Sequence, residues 1–261
     1  MTVRSTNNPQ YDVDSSSKIT ELEYELASTK TLLQAATDEL DNFSYIVAHD
    51  LKEPMRGINS YSNFLLEDCT HKLNNSEQDK LKTLIRLSSR TQNMLDSILH
   101  YSRVGITDTE NHKINLNDIV SEIIDSLSQN NASIQVSGDL PIITCNPARI
   151  SEVFLNLITN ALIFNDNKHK LIEIGCKETS TNAQSFVYYV KDNGIGIDPK
   201  RHDDIFTIFR RLNPKDKYGD SIGAGLTVTK KIINHYEGKI WLESEPGIGS
   251  TFYFTLGKTA E

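Results

Sequence analysis

Two groups of residues in this chain have the types and the spacing for chemistry. The first surrounds one histidine, in Asn42-Phe-Ser-Tyr-Ile-Val-Ala-His49-Asp50-Leu-Lys-Glu53-Pro54. The apolar residues Phe43, Val47, Leu51, Pro54 and Ile58 recur at three and four, the period of a helix with one buried stripe. His49 stands two residues past Val47, off that stripe, so its imidazole reaches water. A neutral imidazole is a nucleophile near pH 7, and a nearby carboxylate can take its proton. Asp50 and Glu53 are the candidate carboxylates. Pro54 has no amide proton to give the carbonyl of Asp50, so a kink just past the histidine is predicted.

The second group lies in the other half of the chain. Asn146-Pro147 caps a helix, with proline at its first position. On that helix Asn156 and Asn160 are four apart and share a face. Two amides on an otherwise apolar helix are costly unless they bind something, and amide oxygens suit Mg²⁺. Asp192-Asn-Gly194-Ile-Gly196 follows a strand; its glycines let a backbone approach a ligand, and its carboxylate can accept from an exocyclic amine. Gly223-Ala-Gly225-Leu226 opens a second helix, where a glycine-rich turn makes a phosphate site. Between them, Ile205-Phe206-Thr-Ile208-Phe209-Arg210-Arg211, followed by Lys215 and Lys217, reads as a mobile basic lid. Each motif alone has a plainer explanation, such as a surface histidine or asparagines bonded to a loop.

The elements that must position these groups follow from periodicity. Residues 1–17 are polar and read as a disordered tail. From Lys18, the residues Ile19, Leu22, Leu26, Thr29, Leu33, Ala36, Leu40, Phe43 and Val47 alternate spacings of three and four. That heptad pattern predicts a parallel dimeric coiled coil over 18–42, running in phase into the His49 helix. A second amphipathic helix opens near Ser76-Glu-Gln-Asp79 with a capping-box pattern and ends near Gly105. A helical hairpin with two apolar stripes is satisfied by pairing two chains into a four-helix bundle. Residues 106–113 read as a linker, and 114–258 as helices on one face of a mixed sheet. Hence an α+β chain is expected, with a dimeric antiparallel four-helix bundle followed by an α/β sandwich.

Composition excludes several classes. A net charge of −8 gives no footprint for nucleic acid. No apolar run approaches the roughly 18 residues that span a bilayer, and the N-terminus lacks a signal-peptide pattern. A cytoplasmic protein is expected. Cys69, Cys145 and Cys176 are odd in number and far apart, which argues against a disulfide framework or a zinc site.

The order of the motifs is more specific than any one of them. It resembles the sensor histidine kinases of two-component systems over about residues 40 to 256. His49 to Pro54 is similar to the phosphoacceptor box, and Asn156 to Phe164 to the Asn box. Asp192 to Gly196, Phe206 to Phe209 and Gly223 to Leu226 are similar to the two Gly boxes and the Phe box between them. The wording around His49 is most similar to bacterial phytochrome-type kinases. The resemblance implies a dimerisation and phosphoacceptor domain over 43–105 and an ATP-binding domain over 114–258. It implies ATP and Mg²⁺ as cofactors, with Asp192 on the adenine amine and Asn160 on the metal. Asn156, Gly194, Gly196, Phe209, Arg210, Gly223, Gly225 and Leu226 would line the nucleotide. His49 would take the γ-phosphoryl group, with Asp50 as base and Glu53 second. The partners implied are a second copy of the chain, a response-regulator receiver domain, and a sensory domain or sensor protein acting on the coiled coil.

Three positions depart from the family pattern. Ile163 replaces a lysine, Ser221 replaces a glycine, and Glu53 stands where phosphatase-competent kinases carry Thr or Asn. Ile163 and Ser221 leave open a weak or inactive dimeric scaffold, while Glu53 counts against a phosphatase activity, since a carboxylate cannot donate to orient the attacking water. An ATP hydrolase of the gyrase or heat-shock type is disfavoured, because the position of its water-activating glutamate is Asn156.

Overall fold

The computed structural model describes residues 9–105, 110–127, 132–178, 186–210, 218 and 222–257. Helix α1 (Pro9–Cys69) runs unbroken through Pro54, and α2 (Asn75–Arg103) returns alongside it. Composition placed a tail through residue 17, but the helix already begins at Pro9; residues 1–8 lie outside the described residues. The cap of α2 is also shifted from the expected Ser76. Asn74 accepts from the Glu77 amide while Glu77 accepts from the Asn74 amide, so the capping box starts two residues earlier.

Polar contacts set the register of the hairpin. Arg103 donates to the Tyr45 hydroxyl at 2.8 Å, Lys52 pairs with Asp96 at 2.5 Å, and Ser88 donates to the Met55 carbonyl at 3.0 Å. Asn59 bridges to the Ile85 carbonyl and the Ser89 hydroxyl. The buried serines of the hairpin, Ser62, Ser88 and Ser102, each donate to a main-chain carbonyl, which removes the cost of burying a hydroxyl. Ile19, Leu22, Leu26, Leu33, Leu40 and Phe43 of the heptad stripe remain exposed in the single chain. A contiguous apolar stripe of that length marks an interaction surface.

The second domain is built on a five-stranded sheet in the order β2-β4-β5-β7-β6, comprising Ala132–Ser137, Lys170–Glu178, Phe186–Asp192, Gly249–Thr255 and Ile240–Glu245. Among the described residues only the β2–β4 pair of this sheet is parallel. A separate ladder pairs β1 (His112–Asn115) with β3 (Ile142–Cys145); β1 thus begins inside the stretch read as a linker. Helices α3 (Leu116–Leu127), α4 (Pro147–Ile163) and α5 (Gly225–His235) cover one face of the large sheet. Alternation decides which side chains face them: Ile172, Ile174, Val190, Phe252 and Phe254 are buried in the core, while Glu173, Lys191 and Tyr253 point the other way.

This domain rests on the hairpin. Lys231 of α5 pairs with Asp41 of α1 at 2.6 Å, and its ammonium lies 4.2 Å from the centre of the Tyr101 ring. His100 Nε2 lies 2.5 Å from Glu152 Oε1 on α4, and Arg149 approaches the other carboxylate oxygen at 3.4 Å.

Candidate active site

The Asn146 side chain accepts from the amides of Ala148 and Arg149, so α4 starts where the sequence predicts. That start sets the phase of the helix. Glu152, Asn156, Asn160 and Phe164 follow at intervals of four and share one face. Along that face lies a cavity of about 530 Å³. Asn156, Asn160, Ile163, Asp192, Gly196, Arg210, Gly223, Gly225 and Leu226 all line it.

Asp192 closes one end. It terminates β5, and its Oδ1 accepts from the amide of Gly194 at 2.7 Å and that of Ser250 at 3.3 Å. Burial raises its carboxyl to about 6, against the opposing pull of those two amides. The turn after it is pinned by Asn193, whose Oδ1 accepts from Asn165 and from the Leu171 amide. Gly194 does not line the cavity; it backs Asp192, and a Cβ there would stand 2.5 Å from the Phe164 carbonyl oxygen. Gly196 has φ +67°, and a Cβ there would meet the Glu245 carbonyl. Both glycines are therefore required by close backbone approach.

The other end lies at the start of α5. The Asn156 amide donates to the Gly225 carbonyl at 3.4 Å and to the Thr229 hydroxyl at 3.3 Å, which ties α4 to the second glycine pair. Asn160 makes no side-chain hydrogen bond among the described residues, so its carboxamide is available to the cavity. Arg210 reaches the cavity while paired with Asp204 at 2.8 Å. Phe209 does not line it; its amide donates to the Gly223 carbonyl, and its φ of +62° turns the chain there. Ile205 and Phe206 belong to one short 3₁₀ turn, Asp204–Phe206, rather than to an α-helix. Arg211, Lys215, Lys217 and Ser221 lie outside the described residues.

Sequence reasoning did not find Ser97 or Ser250. Ser97 comes from α2 and forms part of the cavity wall; Ser250 contributes a backbone amide from β7. Both meet the site only through tertiary contact, which no local pattern announces.

His49 is 67% exposed by side chain, and its Nδ1 lies 3.2 Å from Asp50 Oδ1. Its ring stacks on Tyr45 at 6.2 Å. Neighbouring positions on a helix do not ordinarily face each other, yet here the Asp50 carboxylate folds back to the ring. Glu53 forms no ion pair among the described residues. Cys145 is buried, with its thiol raised to about 12 by that burial, so it is an inert packing group.

The His Kinase A (phospho-acceptor) domain matches residues 39–105, and the histidine kinase-, DNA gyrase B-, and HSP90-like ATPase matches residues 145–260. Cyanobacterial phytochrome B of Nostoc sp. is 47% identical over 236 residues, covering 89% of this chain and 31% of that protein. Phytochrome-like protein Cph1 of Synechocystis sp. is 35% identical, again over 89% of this chain and 31% of that protein. The chain thus spans about a third of the length of these relatives. Full-length ShkA in complex with AMPPNP has the same fold, with a TM-score of 0.60 at 19% identity over 82% of this chain and 45% of that one. So does the histidine kinase AdeS of Acinetobacter baumannii, with a TM-score of 0.55 at 19% identity, covering 81% of this chain and 98% of that one. The two family matches together take up more than half of the chain, phosphoacceptor first and ATPase second, and the chain belongs to the sensor histidine kinases.

Proposed function

We propose that the chain uses Mg-ATP to phosphorylate its own His49, and that the phosphoryl group then passes to an aspartate of a response-regulator receiver domain. The observation that carries this reading is the contact between His49 Nδ1 and Asp50. With Nδ1–H donating to the carboxylate, the lone pair belongs to Nε2. Nε2 forms the new bond to the γ-phosphorus, the bond from that phosphorus to the bridging oxygen breaks, and ADP leaves with the electron pair. Asp50 holds the Nδ1 proton, so positive charge on the ring is offset as the bond forms.

The cavity residues suit the nucleotide. Asp192 has one oxygen committed to two backbone amides, leaving the other to accept from an exocyclic amine. The close-packed Gly194 and Gly196 turn shapes the base pocket. Asn160 supplies a hard oxygen for Mg²⁺, whose charge would offset that of the phosphates. Among the described residues no three His, Cys, Asp or Glu side chains are grouped so as to hold a metal ion. Asn160, phosphate oxygens and water would therefore complete the magnesium shell, the usual way this ion is held beside phosphates. Its need for ATP puts the reaction on the cytoplasmic side, and no helix among the described residues is long and apolar enough to cross a membrane.

Two copies would pair along the heptad stripe and the hairpin. A sensory domain or sensor protein would act through the N-terminal part of α1. Incubation with γ-labelled ATP and Mg²⁺ tests the reading. Acid-labile, base-stable label is expected on the wild type and not on His49→Gln, while ATP binding persists in the variant. Equal label on both would overturn the assignment. Nucleotide binding without any label would favour the scaffold instead.

A further inference from the structure

The way the ATP-binding domain sits on the hairpin bears on which histidine its nucleotide reaches. The Tyr45–Arg103 and Lys52–Asp96 pairs fix the level of α1 against α2. His49 lies between Tyr45 and Lys52; Ser97, His100 and Tyr101 lie between Asp96 and Arg103. Every α2 residue just named as touching the second domain or its cavity therefore stands in the same window of the hairpin as His49. On α1, Asp41 and His49 are eight residues apart, about 12 Å of rise and about 80° of rotation. The residue held by Lys231 and the phosphoacceptor thus share one side of the helix. That side is not the seam, because Val47 of the apolar stripe is about 200° round from His49.

The direction of the cavity agrees. Helix α4 touches the hairpin at Glu152, through His100. One turn on is Asn156 beside Gly225; another turn on is Asn160; a further turn is Phe164, beside Gly194 and Asp192. The end of the cavity suited to phosphate is therefore nearer the chain's own hairpin, and the end suited to the base is farther away. The clasp itself is enclosed: the side chains of Lys231 and Asp41 are only 17% and 14% exposed.

We propose that phosphoryl transfer runs within one chain, from the nucleotide of a subunit to its own His49, and that the Asp41–Lys231 pair is the positioning contact that seats the ATP-binding domain for it. The inference rests on the kinase reading above.

Heterodimers separate the two possibilities with a signal in each direction. The first joins a His49→Gln subunit to an Asn160→Ala subunit. Transfer within one chain leaves this dimer unlabelled, whereas transfer between chains labels the Asn160→Ala subunit. The second joins a wild-type subunit to one carrying both substitutions. Transfer within one chain labels its wild-type subunit at the per-subunit rate of the homodimer, whereas transfer between chains leaves it blank. Label in the first dimer and none in the second would overturn the proposal while leaving the kinase reading intact. No label on the wild-type homodimer would remove both.

Charge reversal tests the clasp. Asp41→Lys and Lys231→Asp are each expected to slow labelling by about ten- to a hundredfold. ATP affinity should stay unchanged, and the double variant should recover most of the rate. Faster labelling in either single variant, or no recovery in the double, would overturn the positioning role.

Discussion

Gly194 and Asp192 occupy the same few ångströms: the amide of Gly194 donates to Asp192 Oδ1 at 2.7 Å, and a Cβ at 194 would stand 2.7 Å from that same oxygen. The Phe164 carbonyl blocks the other direction at 2.5 Å. Gly194→Ala must therefore shift the carboxylate or the end of α4. Overpacking of this kind costs about 1–3 kcal/mol. Chemical denaturation is expected to show that loss, and calorimetry a larger proportional loss of ATP affinity. Unchanged ATP affinity would mean that Asp192 does not hold the base.

The raised carboxyl of Asp192 makes two opposite pH dependences. For ligand binding, a proton on its free oxygen sets a donor against an amine donor, so ATP affinity should fall as pH drops below about 6. For stability of the nucleotide-free protein the sign reverses. The proton is held more tightly when folded, so the group's contribution is complete below about pH 4 and is lost as pH rises through about 6. That loss is on the order of 2–3 kcal/mol. Asp192→Asn should flatten the stability profile in this window, and denaturant titrations from pH 4 to 8 would check it.

Asp50 and Glu53 are expected to separate cleanly. Asp50 touches the imidazole, and Glu53 forms no ion pair among the described residues. Asp50→Asn should lower the labelling rate by about 10²–10⁴-fold, the usual contribution of a positioned base. Glu53→Gln should stay within a few-fold of wild type. Rapid-quench labelling of both variants gives the comparison; the reverse ranking would make Glu53 the base.

Ile163 lines the cavity and is 36% exposed, so a longer polar side chain has room to reach solvent-side phosphates. Ile163→Lys should tighten ATP binding by on the order of tenfold, the worth of one charge-assisted contact. Calorimetry at fixed Mg²⁺ checks this. Weaker binding would show that position 163 does not face the phosphates.

The exposed stripe on α1 predicts a dimer in solution at micromolar concentration. Replacing Leu26 and Leu33 by Asp places charge on that stripe and should shift the mass seen by light scattering toward the monomer. A wild-type monomer would remove the need for the stripe.

How much of this was legible in the sequence depended on range. Helix α4 was legible because Asn146-Pro147 carries its own start signal and its apolar residues keep one period. The β6–β7 hairpin was legible from Glu245-Pro-Gly-Ile-Gly249 between alternating strands. Asp192, Asn160, Gly196 and the second glycine pair meet at one cavity: Asn160 reaches it from one face of α4, Asp192 ends β5, and Gly225 begins α5. The strands β1 and β3 were not legible: each has four residues and gains its order only from the other. The cap of α2 slipped by two residues because Asn74 and Ser76 are both good cap residues, and the competing carboxylate decides between them. Phe209, which the resemblance implies beside the nucleotide, has a left-handed backbone and does not line the cavity. Ser97 and Lys231 carried no signal, since their partners lie far away in the chain.

Helix α1 is continuous from Pro9 to Cys69, so the exposed apolar stripe, the residue that pairs with Lys231 and His49 are parts of one rod. The interval from Asp41 to His49 is helical throughout and holds no proline or glycine, the usual causes of a sharp kink. A rotation of that stretch of helix would turn both residues together. The contact to Lys231 and the direction of the His49 imidazole are therefore one mechanical degree of freedom.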